Sequence, residues 1–148
     1  MKKTIQALLT ISAVSFVLNL FWENAQAPLY KGYISFIQHL QICAIASLGD
    51  VVIILFLYAL YAVITRDILW FRNQNWRSIV SLIIIGAIIG VGIEKWSLLT
   101  HRWSYAESMP IILLIKVGLS PVLQMIVLPI ITFYITHLIL KKTSYVSR

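Results

Sequence analysis

Four long apolar runs, separated by short polar segments, dominate the pattern of hydrophobic and polar positions in this chain. The runs cover residues 4–22, 42–64, 79–98 and 111–140. About 20 helical residues cross a hydrocarbon layer of about 30 Å, so every run is long enough to span a membrane. Four segments cannot close a barrel, and helices are then the structure that satisfies the backbone in hydrocarbon. The pattern predicts a single all-α domain, a bundle of four transmembrane helices.

The fourth run is longer than one crossing requires. Pro121 and Pro129 interrupt it, and Gly118 precedes the first proline. Residues 120–140 would span a membrane alone, and we expect a hinge near Pro121 because proline cannot continue helical hydrogen bonding. Residues 111–118 are left open as a tilted extension, an interfacial half-helix or a re-entrant piece.

The composition favours a membrane protein over a soluble one. Hydrophobic residues make up 60% of the chain and charged residues 11%, whereas soluble domains carry about 25% charged residues. The net charge is +7, but the basic residues cluster in short loops, which is typical of topology signals rather than of a nucleic-acid-binding patch. We therefore expect the lipid bilayer, and no nucleic acid, as a partner.

Lysine and arginine are distributed unevenly between the two predicted sides of the membrane. With the N-terminus inside, the cytoplasmic segments hold Lys2, Lys3, Arg66, Arg72, Arg77, Lys141, Lys142 and Arg148. The outer segments hold Lys31, Lys95 and Arg102. By the positive-inside rule, the protein is predicted to lie in the cell (plasma or inner) membrane with both termini cytoplasmic. Trp70 and Trp76 would then lie at the inner interface.

The N-terminal segment also has features of a secretory signal peptide. Two lysines precede an apolar stretch, and residues 25–27 read Ala-Gln-Ala, a cleavage-site pattern. However, Pro28 would directly follow the scissile bond, and the apolar stretch exceeds the usual length of about 7–15 residues. The sequence favours an uncleaved first span.

Polar residues inside the apolar runs share helical faces. On the first run, spacings of three or four place one stripe of them on a single face: Ser12, Ser15, Asn19, Glu23 and Gln26. Asp50 lies in the second run and Glu94 near the end of the third. On the fourth run, three polar residues are spaced by four: Lys116, Ser120 and Gln124. In the predicted topology, all of them map to the outer half of the membrane.

Ionisable groups inside spans are costly, by roughly 2.5–3.5 kcal/mol at a helix centre, and they tend to face the bundle interior. We expect a polar pocket that opens outward and is lined by Glu23, Asp50, Glu94 and Lys116, with the three acids as candidate catalytic residues. The candidate ligand-binding residues are Asn19, Trp22, Gln26, His101, Arg102, Trp103, Tyr105, Lys116, Ser120 and Gln124. Alternatively, Lys116 neutralises one acid and the other polar groups hold the helices together.

Three smaller features bear on the site. Residues 100–110 mix charge, donors and large aromatic side chains, which is typical either of a lid over a pocket or of interfacial anchoring. His101 with two glutamates would offer metal ligands, but no closely spaced ligand pair is present, so neither a metal nor another cofactor is predicted. Gly86 and Gly90 are spaced for close helix packing, and a homo-oligomer through that face is left open.

The chain carries a series of short elements: Asn19-Leu-Phe-Trp22-Glu23, Pro28-Leu29-Tyr30, Gly49-Asp50, Glu94, Arg102-Trp103-Ser104-Tyr105, Met109-Pro110 and Gly118-Leu-Ser-Pro121-x-x-Gln124. Together they resemble a family of small, uncharacterised four-span membrane proteins of bacteria and archaea, a resemblance that implies no particular activity. The N-x-x-W-E element also resembles one in integral membrane terpene cyclases, where the glutamate is a proposed acid for cyclisation. Thr100-x-x-Trp103-x-Tyr105 resembles membrane carotenoid-pathway proteins. Both of those families have more than four spans.

These resemblances lead to the main functional hypothesis, a membrane-embedded site that binds a hydrophobic, isoprenoid-like molecule or converts it by acid-catalysed cyclisation or isomerisation. The reaction needs an acid kept protonated by burial and aromatic faces that stabilise a carbocation. Glu23 or Asp50 would be the acid, and Glu94 a second acid or base. Two other classes stay open: a small oligomeric transporter or proton-coupled permeation unit, and a non-catalytic membrane subunit.

Overall fold

The computed structural model of the protein describes residues 2–146, and Arg148, counted above among the cytoplasmic cations, lies outside them. Four helices account for most of the described chain: α1 (Lys2–Gln26), α2 (Phe36–Thr65), α3 (Trp76–Leu99) and α4 (Leu119–Val146). Each is long and apolar enough to cross a membrane. The prediction of an essentially all-α chain with four such helices is confirmed.

The segment before α4 departs from the predicted fourth span. Residues 111–118 are not helical, because β1 (Ile111–Ile112) pairs antiparallel with β2 (Val117–Gly118). Lys116 has a φ of 51°, a left-handed conformation that a right-handed helix cannot contain. The amide of Leu119 donates to the carbonyl of Pro110 (2.8 Å) and closes this hairpin at its base. The extension of the helical run back to residue 111 was wrong.

The two prolines of α4 lie in different parts of the helix, and Pro121 is not a hinge within a longer helix. Pro121 is the third residue of α4, where a missing N–H breaks no helical hydrogen bond. Pro129 lies inside α4 and therefore leaves the carbonyl of Met125, four residues earlier, without its helical donor. That carbonyl faces Gly86 of α3, where an added Cβ atom would lie only 2.2 Å from the Met125 oxygen. Gly86 is thus used for close packing within the chain.

The helices are not packed in a closed ring. The helix α1 packs against α2 and α4, and α4 packs against α3, whereas α2 and α3 have almost no close backbone contact. We call the end with the α1–α2 and α3–α4 connections the upper end, and the end with the α2–α3 connection and the two termini the lower end. The separation of α2 from α3 has different consequences at the two ends.

At the lower end, the α2–α3 connection fills the space between these helices. Its 3₁₀ helix, Trp70–Asn73, places Trp70 against Phe133 of α4, with ring centroids 4.9 Å apart in an edge-to-face arrangement. The indole N–H of Trp70 donates to the Tyr58 carbonyl (3.2 Å), and the hydroxyl of Tyr61 on α2 hydrogen-bonds Ser81 on α3. Trp70 is only 5% exposed, so its ring packs inside the bundle rather than on the outer surface.

At the upper end, the two connections pair with each other across the bundle. Tyr30 and Tyr105 form an isolated antiparallel bridge. The amide of Lys31 donates to the Ser104 carbonyl, and the amide of Ala106 donates to the Leu29 carbonyl, both at 2.9 Å. These bonds fix residues 103–105 over the polar faces of the helices without inserting a side chain cluster between α2 and α3.

Candidate functional site

A cavity of about 530 Å³ lies at the upper end between α2 and α3, within the size range of small-molecule sites. Its lining on α2 runs from His39 to Ile53, a length of about 21 Å at 1.5 Å per residue. The opposite wall is formed by Gly90, Ile93 and Glu94 of α3. Among the lining residues, Ile42 and Gly49 on α2 are exposed, as are Lys31 and Arg102 in the upper connections. The cavity is therefore open along the side of the bundle as well as toward the upper connections.

Gln124 of α4 connects the polar groups at the base of the cavity. Its side-chain nitrogen lies 2.9 Å from each of three oxygens, Asn19 Oδ1, Glu23 Oε1 and Asp50 Oδ2. Asn19 and Gln124 are almost completely buried, and Asp50 is 9% exposed. One amide thus joins α1, α2 and α4, and it brings two of the three predicted acids to the same point.

The orientation of the amides in this network follows from a backbone carbonyl. The Asn19 nitrogen donates to the Ser15 carbonyl (2.8 Å), so its oxygen must face Gln124. Gln124 then presents its nitrogen to Asn19 and its oxygen to the Gln26 nitrogen (2.8 Å). The Gln26 oxygen in turn accepts from the Ser120 hydroxyl (3.0 Å). Reversing any one amide would place like groups together, so the donor directions are determined.

Glu94 forms a separate acidic group on the α3 side of the cavity. Its Oε2 atom accepts hydrogen bonds from the Tyr105 hydroxyl and from the indole N–H of Trp103 (3.4 Å). The Tyr105 oxygen also accepts from the amide of Gly118 (2.8 Å). Glu94 is 2% exposed. Glu23 and Asp50 share the Gln124 nitrogen as a donor, whereas the donors to Glu94 contact no other carboxyl group.

The aromatic side chains of the two upper connections cover Glu94. Tyr30 lies edge-to-face against Trp103 (6.1 Å between centroids) and tilted against Tyr105 (5.8 Å). Burial raises the pKa of Tyr105 above its ordinary value, and its hydrogen bond to Glu94 raises the pKa further. Burial likewise raises the pKa of Tyr30, with Glu94 as the next cause. Both phenols therefore keep their protons at neutral pH, and Tyr105 acts as a hydrogen-bond donor.

Basic side chains surround the upper opening. Lys31, His39 and Arg102 all line the cavity, and the first and third are exposed. The Arg102 guanidinium carbon lies 4.1 Å from the centroid of the Trp96 ring, close enough for a cation–π interaction. The acids lie deeper, so the cavity changes from basic at its opening to acidic at its base.

The structure brings most of the predicted site residues together, but not all of them. The residues that line the cavity or belong to its hydrogen-bond networks are Asn19, Glu23, Gln26, Asp50, Glu94, Arg102, Trp103, Tyr105, Ser120 and Gln124. Lys116 is exposed in the hairpin turn, because the segment that carries it is not helical, and His101 is exposed at the end of α3. Neither these two nor Trp22 lines the cavity.

Three cavity residues were not predicted from the sequence: Tyr30, Lys31 and His39. Tyr30 is placed by the bridge to Tyr105, and His39 lies one turn into α2, which begins at Phe36 rather than at residue 42. The Pro28-Leu29-Tyr30 element was a signal for the first of them. Among residues 2–146, no group of three or more His, Cys, Asp or Glu side chains is arranged to hold a metal ion.

Comparison with models of protein families, with curated proteins and with solved structures finds no match to this chain. The cavity and its residues are therefore the basis for assigning a function.

Proposed function

We propose that this is a multi-pass protein of the cell membrane, with both termini in the cytoplasm and the cavity in the outer half of the bilayer. The cavity binds a small hydrophobic, isoprenoid-like molecule and cyclises or isomerises it by acid catalysis. The observation that carries this proposal is the gap between α2 and α3, which connects an acid-lined cavity to the side of the bundle.

The gap suits a substrate that is dissolved in the bilayer. In the proposed orientation, hydrocarbon chains surround α2 and α3, so an apolar molecule would enter sideways without crossing water. The walls that it would pass are largely apolar: Ile42, Ala46, Ile53, Ile93 and Met125. A water-soluble substrate would gain little from a lateral opening of this kind.

The arrangement of acids and aromatic rings suits carbocation chemistry. A carboxyl O–H bond of Glu23 or Asp50 breaks as the π electrons of an alkene form a C–H bond, which leaves a carbocation on the neighbouring carbon. The faces of Tyr30 and Trp103 would stabilise this charge. Glu94 then removes a proton from an adjacent carbon, and the electrons of that C–H bond form the new double bond. The atoms balance without a co-reactant, and attack by a second alkene before this step would close a ring.

A permeation pathway, the main alternative, has less support. Below the Gln124 network, the bundle is filled by a continuous core of buried residues: Ile11, Ile54, Leu57, Tyr58, Tyr61, Trp70, Phe71, Leu82 and Phe133. A carrier or channel would need a route through this core to the lower end. A cavity that is closed at one end is better suited to binding and catalysis.

The proposed topology is tested by labelling single cysteines in whole cells. Cys43 lines the cavity and would first be replaced by alanine. Cysteines at Lys31 and Glu107 should then react with a membrane-impermeant maleimide, whereas cysteines at Arg66 and Asn73 should react only after the cells are opened. All four positions are exposed, so lack of reaction reports the side of the membrane. Labelling of Asn73 in intact cells would overturn the orientation.

The proposed function is tested by native mass spectrometry of protein extracted in a mild detergent. We expect a retained hydrophobic molecule in the parent protein, and loss of its retention or turnover in Glu23→Gln, Asp50→Asn and Glu94→Gln. The matched control is Glu107→Gln, since Glu107 is exposed outside the cavity. Thermal unfolding of the amide variants should stay close to that of the parent. If all three variants retain and convert the molecule as the parent does, the proposal is wrong.

A further inference from the structure

Three oxygens share the two hydrogens of the Gln124 side chain, and one of the three, Glu23 Oε1, also accepts from Gln26. An amide NH₂ group has two hydrogens, yet three oxygens lie 2.9 Å from the Gln124 nitrogen. The second amide nearby offers no spare donor, because Gln26 uses its two hydrogens on Glu23 (2.9 Å) and on Gln124 (2.8 Å). Asn19 cannot help either, because its nitrogen is turned to the Ser15 carbonyl.

The two carboxyl groups meet at one buried point. Glu23 and Asp50 approach the same nitrogen from different helices, with Glu23 Oε1 and Asp50 Oδ2 each 2.9 Å from it. Two carboxylates without a proton would repel each other in this buried position, whereas a carboxyl group can donate to a carboxylate. One proton between the two groups therefore removes one negative charge and replaces their repulsion by a hydrogen bond.

We propose that Glu23 and Asp50 share a single proton in a hydrogen bond between their carboxyl groups, and that Gln124 is the positioning residue that holds this acid pair toward the cavity. This inference deepens the proposed function, on which it rests, because it assigns the proton that starts the reaction to the pair rather than to one residue. Glu94, with donors from Tyr105 and Trp103, is left as the separate carboxylate that accepts the proton at the end.

The other ionisable groups near the pair belong to every neighbouring element. Glu94 comes from α3, His39 and Cys43 from α2, Tyr30 and Lys31 from the α1–α2 connection, and Arg102 and Tyr105 from the α3–α4 connection. The residues that α4 contributes to the cavity, Pro121, Gln124 and Met125, are not ionisable. The hydrogen-bond donors that contact Glu23 and Asp50 are neutral amides, so the proton is the pair's means of reducing its charge.

Infrared spectroscopy of the ligand-free protein tests this inference directly. A protonated carboxyl group has its own C=O stretching band, which moves to lower frequency in D₂O. The chain has only five Asp and Glu residues, of which Asp67 and Glu107 are exposed, so the background at pH 7 is small. We expect the parent to show a band equivalent to one carboxylic acid. Because no ligand is involved, this test can fail while the proposed function holds. Conversely, the band can be present while the ligand assays contradict the proposed function.

Near-isosteric variants identify the owner of the proton. In Glu23→Gln or Asp50→Asn, one negative charge is gone and the new amide can donate to the remaining carboxylate, so each single variant should lose the band. Glu94→Gln is the matched control and should keep it. A parent without the band, a band that persists in either single variant, or a band lost in Glu94→Gln would each overturn the shared proton.

The positioning role of Gln124 has a separate spectroscopic signature. Gln124→Met keeps the length of the side chain but removes both donors, so the acid band should persist and move to higher frequency as its hydrogen bonding weakens. Ser120→Ala is the control, because Ser120 donates to Gln26 and not to the pair, and its band should not move. An unchanged band position in folded Gln124→Met would show that Gln124 does not position the pair.

Discussion

The upper and lower halves of the bundle differ in what lies between α2 and α3. In both halves α2 stands apart from α3. In the lower half, the α2–α3 connection turns back into the gap, and Trp70 and Phe71 fill it with buried aromatic surface. In the upper half, the connections pair with each other instead and leave about 530 Å³ unfilled. The cavity therefore exists because the two ends are closed differently. The α2–α3 connection fills the lower gap with Trp70 and Phe71, which we call the plug, whereas the two upper connections only cover the upper gap.

The largest effect is expected from removing the plug. Trp70→Ala should lower the free energy of unfolding by about 3–5 kcal/mol, the usual cost of truncating a buried aromatic side chain. Trp76→Ala is the matched control, since Trp76 is 69% exposed while Trp70 is 5% exposed. Thermal and denaturant unfolding in mild detergent would measure both. Equal losses in the two variants would contradict the distinction between plug and surface.

The next largest effect is expected at the close contact between α3 and α4 at Gly86. Gly86→Ala should destabilise the protein at the upper end of the range of about 1–3 kcal/mol for overpacking, because the added Cβ atom would meet the Met125 carbonyl at 2.2 Å. Gly92→Ala is the control, since no atom lies within 4 Å of a Cβ atom there. It should be neutral or gain up to about 1 kcal/mol from helix propensity. Unfolding measurements that rank the two variants the other way would refute this packing.

A smaller effect is expected at the cover of the cavity. Tyr105→Phe removes the donor to Glu94 and the acceptor of the Gly118 amide, and it should cost about 1 kcal/mol of stability. Turnover should fall as well, because Glu94 would lose the donor that holds it against the α3–α4 connection. Tyr134→Phe, at a 58% exposed position, is the control for both measurements. If Tyr105→Phe leaves turnover unchanged, the contact from Tyr105 does not orient Glu94 for the reaction.

The smallest effect tests the corrected position of Lys116. Lys116→Ala should change stability by no more than about 0.5 kcal/mol, as expected for an exposed side chain, and it should leave ligand retention unaltered. Native mass spectrometry beside the Glu94→Gln variant would make the comparison. Loss of the ligand in Lys116→Ala would return this residue to the cavity and contradict the hairpin.

Local pattern in the sequence was sufficient for the helices and for much of the site. Each helix presents an apolar surface along its whole length, so it produces a long apolar run in the sequence. The number of helices can therefore be counted from the runs without tertiary information. The polar stripe on α1 follows helical periodicity, and Asn19, Glu23 and Gln26 do face one network. Asp50 and Glu94 were also identifiable, because a carboxyl group inside an apolar span is costly and therefore usually has a functional or structural role.

Only the tertiary structure decided which helices are neighbours and where the gap lies. An apolar hairpin and an apolar helix have the same composition, so the sequence left the structure of residues 111–118 open and Lys116 was predicted in the wrong place. Trp70 looks the same in sequence at an interface and in a plug; its burial depends on how the α2–α3 connection turns. The hydrogen bonds of Gln124 require three helices to meet. Long-range packing brings these helices together, so no spacing along the chain could reveal the contacts.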